Sequence, residues 1–443
     1  MGLEASGREI WESEIINCLD MKTEVLEHLS SKVKIKLGLK QTEIGSLPED
    51  WVVVELGNLI AKNPDYGINA PAVDFDFNLP TYLRITDISE DGRFIAQHKM
   101  SVDNSLSKNY YLESGDLVIA RTGASVGKSY LYDEKDGLLV FAGFLIRFKP
   151  NKEKLNSVFF KYLTQTKNYW NWVVANSMRS GQPGLNSNEF KKYSFGLPPT
   201  IHEQTAIATT LSDADALIRS LEQLIEKKKK IKQGAMQELL RPKEGWVKRK
   251  LEELAWYQEG PGLRNWQFTK SGIKVINVTN LENGILNLER TDRYISIEEY
   301  NKMYKHFTIE EKDIVVASSG NSYGKVAVVQ KRDLPLVMNT SVIRFKALPL
   351  IDYNYLLIFL KSNLFKDQID LLITGGAQPN FGPIHLRKII IDLPPNTKDQ
   401  AKISSVICEM DLVIERLEFK LEKFRQLKQG MMQNLLTGKI RLI

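Results

Sequence analysis

The stretch Arg121-Thr122-Gly123-Ala124-Ser125-Val126-Gly127-Lys128-Ser129 holds the glycines, lysine and hydroxyl from which phosphate-binding loops are built. Its spacing excludes that chemistry. Three residues separate Gly123 from Gly127, where a nucleotide loop has four. The next residues, Tyr130-Leu131-Tyr132, read as a strand, and a phosphate loop needs a helix there to aim its amides. A second copy, Ser318-Ser319-Gly320-Asn321-Ser322-Tyr323-Gly324-Lys325-Val326, lacks the magnesium-binding hydroxyl. Both copies therefore read as a strand–turn–strand hairpin. Two roles fit these residues. One is a turn whose glycines supply positive φ. The other is a tip brought close to a DNA groove, with Arg121 or Ser318 and Lys128 or Lys325 reaching bases or phosphates.

Other candidate chemistry fails in the same way. Asn63-Pro64-Asp65-Tyr66 differs at its third residue from the Asn-Pro-Pro-Tyr loop of adenine methyltransferases, and no glycine-rich cofactor loop precedes it. Phe141-Ala142-Gly143-Phe144 lacks the second glycine of such a loop. Pro64, Asp65, Asp133 and Lys135 follow the order of a nuclease carboxylate pattern, but across a long gap. Five scattered histidines form no metal set, and Cys18 and Cys408 fit neither a metal nor a disulfide pattern. The cysteine usage fits a reducing cytosol, so a cytoplasmic location is expected. No apolar run reaches the ~18 residues of a membrane span. The residues provide no cofactor loop, metal set or nucleophile constellation, and no catalysis is expected of the chain by itself.

The feature that recurs is the chain itself. Leu197-Pro198-Pro199 with His202-Glu203-Gln204 returns 196 residues later as Leu393-Pro394-Pro395 with Lys398-Asp399-Gln400. Lys232-Gln233-Gly234 returns as Lys428-Gln429-Gly430, Gln182-Pro183 as Gln378-Pro379, and Trp51 as Trp246. A period this long is a duplicated domain, since solenoid repeats run about 20–50 residues. The Gln-Pro loops, 179–186 and 375–381, carry Gln and Asn side chains able to make bidentate contacts with adenine, though these are also turn residues.

The elements that must hold these loops follow from residue texture. Residues 51–56, 82–88, 116–120, 129–132 and 139–148 read as strands between Gly, Asn and Asp turns, followed by a helix at 157–174. The second copy has strands at 274–278, 313–317, 325–330 and 341–346 and a helix at 353–372. Each copy is thus a mixed α+β globule of ~150 residues. A long helix follows each. Leu211, Ile218, Leu221 and Ile225, and then Ile407, Ile414, Leu417 and Leu421, keep the rhythm of a coiled-coil seam, so the two helices are expected to pair. The run Lys227-Lys228-Lys229-Lys230 reads as a solvated helix face rather than a nucleic-acid patch. Before the first globule, Trp11, Ile15, Cys18 or Leu19, Leu26, Leu29 and Val33 suggest an amphipathic helix. The net charge of +6 is compatible with a polyanion partner without requiring one.

With these residues in place, the chain resembles the specificity subunits of type I restriction–modification enzymes from about residue 40 onward. The resemblance rests on Lys40-Gln41-Thr42-Glu43-Ile44-Gly45 with Leu47-Pro48-Glu49-Asp50-Trp51, and on Gly115-Asp116-Leu117 leading to Gly123, Gly127 and Lys128. It rests also on Leu197-Pro198-Pro199 with Glu203-Gln204, and on Leu435-Leu436-Thr437-Gly438-Lys439-Ile440-Arg441-Leu442. It implies two similar α+β target-recognition domains, each reading half of a split double-stranded DNA site, joined by two long antiparallel helices. It also implies two methyltransferase subunits docked on the helices, and restriction/translocase subunits beyond them. S-adenosylmethionine, ATP and Mg would belong to those partners, with no cofactor in this chain.

The expected boundaries are a leader at 1–45, globules at 46–199 and 244–395, and spacer helices at 200–243 and 396–443. The candidate DNA contacts are Arg84, Arg121, Thr122, Ser125, Lys128, Arg179, Ser180, Gln182 and Asn186 in the first copy. In the second they are Arg264, Ser318, Ser319, Asn321, Ser322, Lys325, Gln378 and Asn380. The alternative is an autonomous DNA-binding regulator with two reading heads.

Overall fold

A computed structural model describes residues 33–34, 38–178, 181–373 and 379–442. The amphipathic helix expected before the first globule lies outside them, apart from the backbone of Val33. The described chain divides into two compact units. One takes the residues up to Ser220 together with those from Leu421 onward; the other is Leu221–Lys420.

In the first unit, an antiparallel sheet runs in the order Ser129–Leu131, Leu117–Ala120, Leu145–Phe148, Asp65–Tyr66. Its inner strand, Leu-Val-Ile-Ala, is buried at every residue, because both faces are covered. Leu117 and Ile119 join the aromatic core under the helices, while Val118 and Ala120 face the core of a second sheet. That second sheet pairs Leu139–Phe141 in parallel with Thr81–Leu83, followed by Met100–Ser101 and Val73–Asp74.

The second unit repeats the plan. Its sheet runs Ala255–Glu259, Val342–Ala347, Ile314–Ala317, Val326–Val328. Ile314 and Val316 turn to the helical core; Val315 and Ala317 turn to the other. Ile273–Ile276 again pairs in parallel with Leu336–Met338.

Several expected elements are broken in two. Residues 139–148 form two strands around an Ala142-Gly143-Phe144 connection. Residues 82–88 supply the end of one strand and a 3-10 turn, Ile85–Asp87. Each single predicted helix is two: Ser157–Leu163 with Lys167–Ser177, and Tyr353–Lys361 with Asn363–Leu372. Side-chain hydroxyls take over the backbone at the breaks. Thr164 donates to the Lys161 carbonyl at 2.7 Å, Thr166 accepts from the Tyr169 amide at 3.2 Å, and Ser362 donates to the Phe359 carbonyl at 2.6 Å.

The long helices are Ile201–Leu239 and Thr397–Leu435. The repeated glutamine locks each start to its globule. Gln204 accepts from the Asn156 amide at 2.9 Å and donates to the Lys154 carbonyl at 3.1 Å. Gln400 accepts from the Asp352 amide at 2.8 Å and donates to the Leu350 and Pro394 carbonyls. In each unit, parts of both helices pack antiparallel. In the first, Ile207, Ala208 and Leu211 share a core with Met431, Met432 and Leu435. In the second, Lys229 pairs with Glu418 at 2.6 Å, and Lys232 with Asp411.

All eight predicted seam residues are buried: Leu211, Ile218, Leu221, Ile225, Ile407, Ile414, Leu417 and Leu421. The lysine run needs correction. Lys227, Lys229 and Lys230 are exposed, but Lys228 is 1% exposed and occupies the seam position that Phe424 takes in the second copy.

The duplicated Lys-Gln-Gly segments hold matching ion pairs with exchanged roles. Lys428 reaches Asp215 at 2.6 Å in the first unit, where Asp215 also accepts from the Tyr162 hydroxyl at 2.8 Å. Lys232 reaches Asp411 in the second.

Candidate nucleic-acid interface

The two loops that recur in the sequence meet in space, once in each unit. In the first, the glycine-rich turn lies between strands whose register pairs Ile119 with Ser129. Gly123 and Gly127 take φ of +72° and +90°, as the turn requires. Thr122 forms a β-bridge with Gly184, the Gly123 amide donates to the Pro183 carbonyl at 2.9 Å, and the Leu185 amide donates to the Arg121 carbonyl at 2.9 Å. In the second unit Ser319 bridges Asn380, and the Phe381 amide donates to the Ser318 carbonyl at 3.0 Å. The same main-chain bond thus ties the same two loops in both copies.

Tyr66, which in the sequence stands only within a failed methyltransferase motif, packs into the first ridge. The Arg121 guanidinium lies 4.9 Å from its ring centre. Its hydroxyl accepts from the Ser187 amide at 3.1 Å and donates to the Ser187 hydroxyl at 3.3 Å. Its neighbour Asp65 binds the Arg147 guanidinium at 2.6 and 3.0 Å. Asp133 caps a 3-10 turn by accepting from the Lys135 amide at 3.0 Å. Neither carboxylate belongs to a metal set, and no group of potential metal ligands occurs among the described residues.

Below each ridge lies a repeated buried charge cluster. Asp116 accepts from the Glu113 amide at 3.0 Å and faces Arg147 at 3.5 Å and Lys149 at 3.3 Å. Asp313 repeats this with the Glu310 amide at 2.9 Å, Arg344 at 3.4 Å and Lys346 at 3.8 Å. Burial pushes both carboxyls above their ordinary value, against the pull of the backbone bond and the cations. Arg147 and Arg344 also hold the next strand through Asp65 and Gln258 respectively. The Gly-Asp motif is therefore framework under the loop.

The predicted contacts sort by what else their side chains do. Arg84 is engaged with Asp87 at 2.7 and 2.8 Å. Lys128 pairs with Glu90 at 2.5 Å. Asn186 accepts from the Glu189 amide at 3.0 Å as a helix cap. Ser318 is buried with its hydroxyl, which is therefore not on the surface, and Ser322 is buried at the residue level. Gln182, Arg264, Lys325 and Asn380 are exposed; Arg121, Thr122, Ser125 and Ser319 are partly so. Arg179, Ser180, Gln378 and the Asn321 side chain lie outside the described residues.

The residues that carried the sequence resemblance converge on a joint in the first unit. Arg441 binds Asp50 at 2.9 and 3.0 Å and the buried Glu203 at 2.7 Å, with its guanidinium 5.7 Å from the centre of the Trp51 ring. Gly438, at φ +67°, has Pro48 where a Cβ would be, at 2.4 Å. The tail is thereby fixed against the start of the first globule and the first long helix.

Comparison with known proteins agrees with this geometry. The type I restriction modification DNA specificity domain matches twice, over residues 48–233 and 243–423. The type I restriction enzyme MjaVIII specificity subunit of Methanocaldococcus jannaschii is 27% identical over 419 residues, covering 89% of this chain and 94% of that protein. The putative MjaX specificity subunit of the same organism is 25% identical, covering 91% and 96%. The crystal structure of the type I restriction–modification S subunit from M. genitalium has the same fold, with a TM-score of 0.56 at 15% identity, covering 91% of this chain and 98% of that one. The chain therefore belongs to the type I restriction modification DNA specificity family, as a specificity subunit with two recognition domains.

Proposed function

We propose that each globule reads one half of a two-part double-stranded DNA sequence through its joined loop ridge, and that the paired long helices dock two methyltransferase subunits and, through them, restriction/translocase subunits. The observation that carries the reading is the double occurrence of one construction. The same two loops are tied by the same backbone bond in each unit, while the side chains they display differ. A common framework with different surface residues suits two half-sites of different sequence. Arg121, Thr122, Ser125 and Gln182 in one ridge, and Ser319, Lys325 and Asn380 in the other, with Arg264 on a neighbouring loop, are the reading candidates. They are suited to base edges and phosphates. S-adenosylmethionine, ATP and Mg are assigned to the partner subunits.

Selection from a random duplex pool, using the chain assembled with its methyltransferase partners, tests the reading. A two-part consensus with a fixed gap is expected. A single contiguous consensus, or none, would overturn it. The isolated chain should transfer no methyl group and cleave no DNA.

A further inference from the structure

Among the described residues, the two most exposed large hydrophobic side chains are Phe77, at 94%, and Trp266, at 81%. Single exposed apolar residues are ordinary on protein surfaces; their placement here is not. Upstream of Phe77, beyond the short strand Val73–Asp74, Asp65–Tyr66 pairs Asp65 with Arg147, and the strand before Trp266, Ala255–Glu259, pairs Gln258 with the equivalent Arg344. The strands after them, Thr81–Leu83 and Ile273–Ile276, run parallel to the equivalent strands Leu139–Phe141 and Leu336–Met338. Phe77 and Trp266 therefore stand in the same connecting segment of the two globules, although only the first segment contains a short strand, Val73–Asp74, and the sequences share no pattern.

Both connecting segments start at the candidate ridge. The first leaves from Tyr66, under Arg121. In the second, the Gly260 amide donates to the Val342 carbonyl and the Pro261 carbonyl accepts from the Thr340 amide, beside the Ser341 carbonyl that binds the Ser318 amide. Cations sit on the neighbouring rings. Lys99 lies 5.9 Å from the centre of Phe75, which meets Phe77 edge-on at 5.0 Å, and Arg293 lies 5.0 Å from the centre of Phe268. The Asp76 carboxylate is turned to the loop's own Asn78 amides at 2.8 and 3.0 Å. Asp74 and Asp76 stand just before Phe77 and are exposed, so charge alone does not draw this loop to a polyanion; the projecting rings, on segments that start at the ridge, fit a duplex whose interior is stacked bases.

We propose that Phe77 and Trp266 are DNA-contacting rings, each stacking at a base-pair step of its own half-site. The proposal rests on the DNA-reading function above. It is tested with the full chain, assembled with its modification subunits, on the selected duplex. Phe77→Ala and Trp266→Ala should each weaken binding by about 5- to 150-fold, the range for losing one base–aromatic stack. Phe77→Trp and Trp266→Phe, which keep a ring at the position, should bind as the wild type does. The slope of log affinity against log salt should stay unchanged, because no phosphate contact is lost. A 2-aminopurine scan should find a position in one half-site whose binding-induced signal disappears in one alanine variant only. Alanine variants that bind within twofold of the wild type would overturn the stacking role and leave the DNA reading standing. A wild-type assembly that retains no duplex would overturn both.

Discussion

The matched ion pairs Lys428–Asp215 and Lys232–Asp411 should respond very differently to the same substitution. In the first, the side chains are 13% and 11% exposed. In the second, Lys232 is 24% and Asp411 45% exposed. Asp215→Asn leaves Lys428 without its anion, and also removes the carboxylate whose charge acts on the half-buried Lys161. Breaking a buried pair from one side costs about 3–5 kcal/mol. Asp411→Asn breaks a pair that water already screens, for about 0–1 kcal/mol. At ~2–4 °C per kcal/mol for a domain of ~150–250 residues, the first should lower Tm by about 6–20 °C and the second by less than about 4 °C. Scanning calorimetry of the full chain at pH 7 measures both. Burial alone would raise the Asp215 carboxyl; Lys428, Tyr162 and Lys161 more than offset it, and it sits below its ordinary value. Its contribution is therefore complete above the unfolded value of about 3.9 and fades only as pH falls below that, through the folded value. Equal Tm shifts for the two variants, or a loss below ~1 kcal/mol for Asp215→Asn, would refute the reasoning.

Leu221 and Leu417 are 1% and 8% exposed, so truncation of either to alanine should cost about 2–5 kcal/mol. Leu412→Ala, at 52% exposure on the same helix, should stay within about 0.5 kcal/mol; urea melts of the three variants check this. Each seam variant should also weaken binding to a complete site more than to either half-site, measured at one salt concentration. Alkaline stability should fall from about pH 10 upward. Burial holds Tyr130, Tyr162, Tyr169, Tyr193 and Tyr355 neutral in the folded chain and pushes Tyr353 up to about 12, whereas unfolded tyrosines ionise near ~10 and draw the equilibrium toward the unfolded state. Thermal melts between pH 8 and 11 would show this decline, and a flat profile would count against it.

The duplication and the seam were legible because both are one-dimensional signals. A repeated Gln-Pro or a 3-4 rhythm survives in the sequence whatever surrounds it. The roles within the repeats were not. Asp116 and Asn186 look like surface polar residues until the fold places Arg147 over one and a helix start beside the other. Lys228 looks like one of four solvated lysines, and only the helix phase puts it at the seam. The helix breaks at residues 164–166 and 362 were written in Thr-Gln-Thr and Ser, but hydroxyl competition for the backbone is weaker than the apolar pattern that spans it. The meeting of the two recurrent loops was hidden by about 60 intervening residues in each copy. Tyr66 shows the same limit, since its partners Arg121 and Ser187 are distant in sequence.

The central claim is that the two globules read DNA independently. It is tested most directly by exchanging residues 46–199 for the matching globule of a relative and determining the preferred duplex before and after. The account predicts that one half of the consensus changes while the other half is preserved. A change in both halves, or in neither, would contradict it.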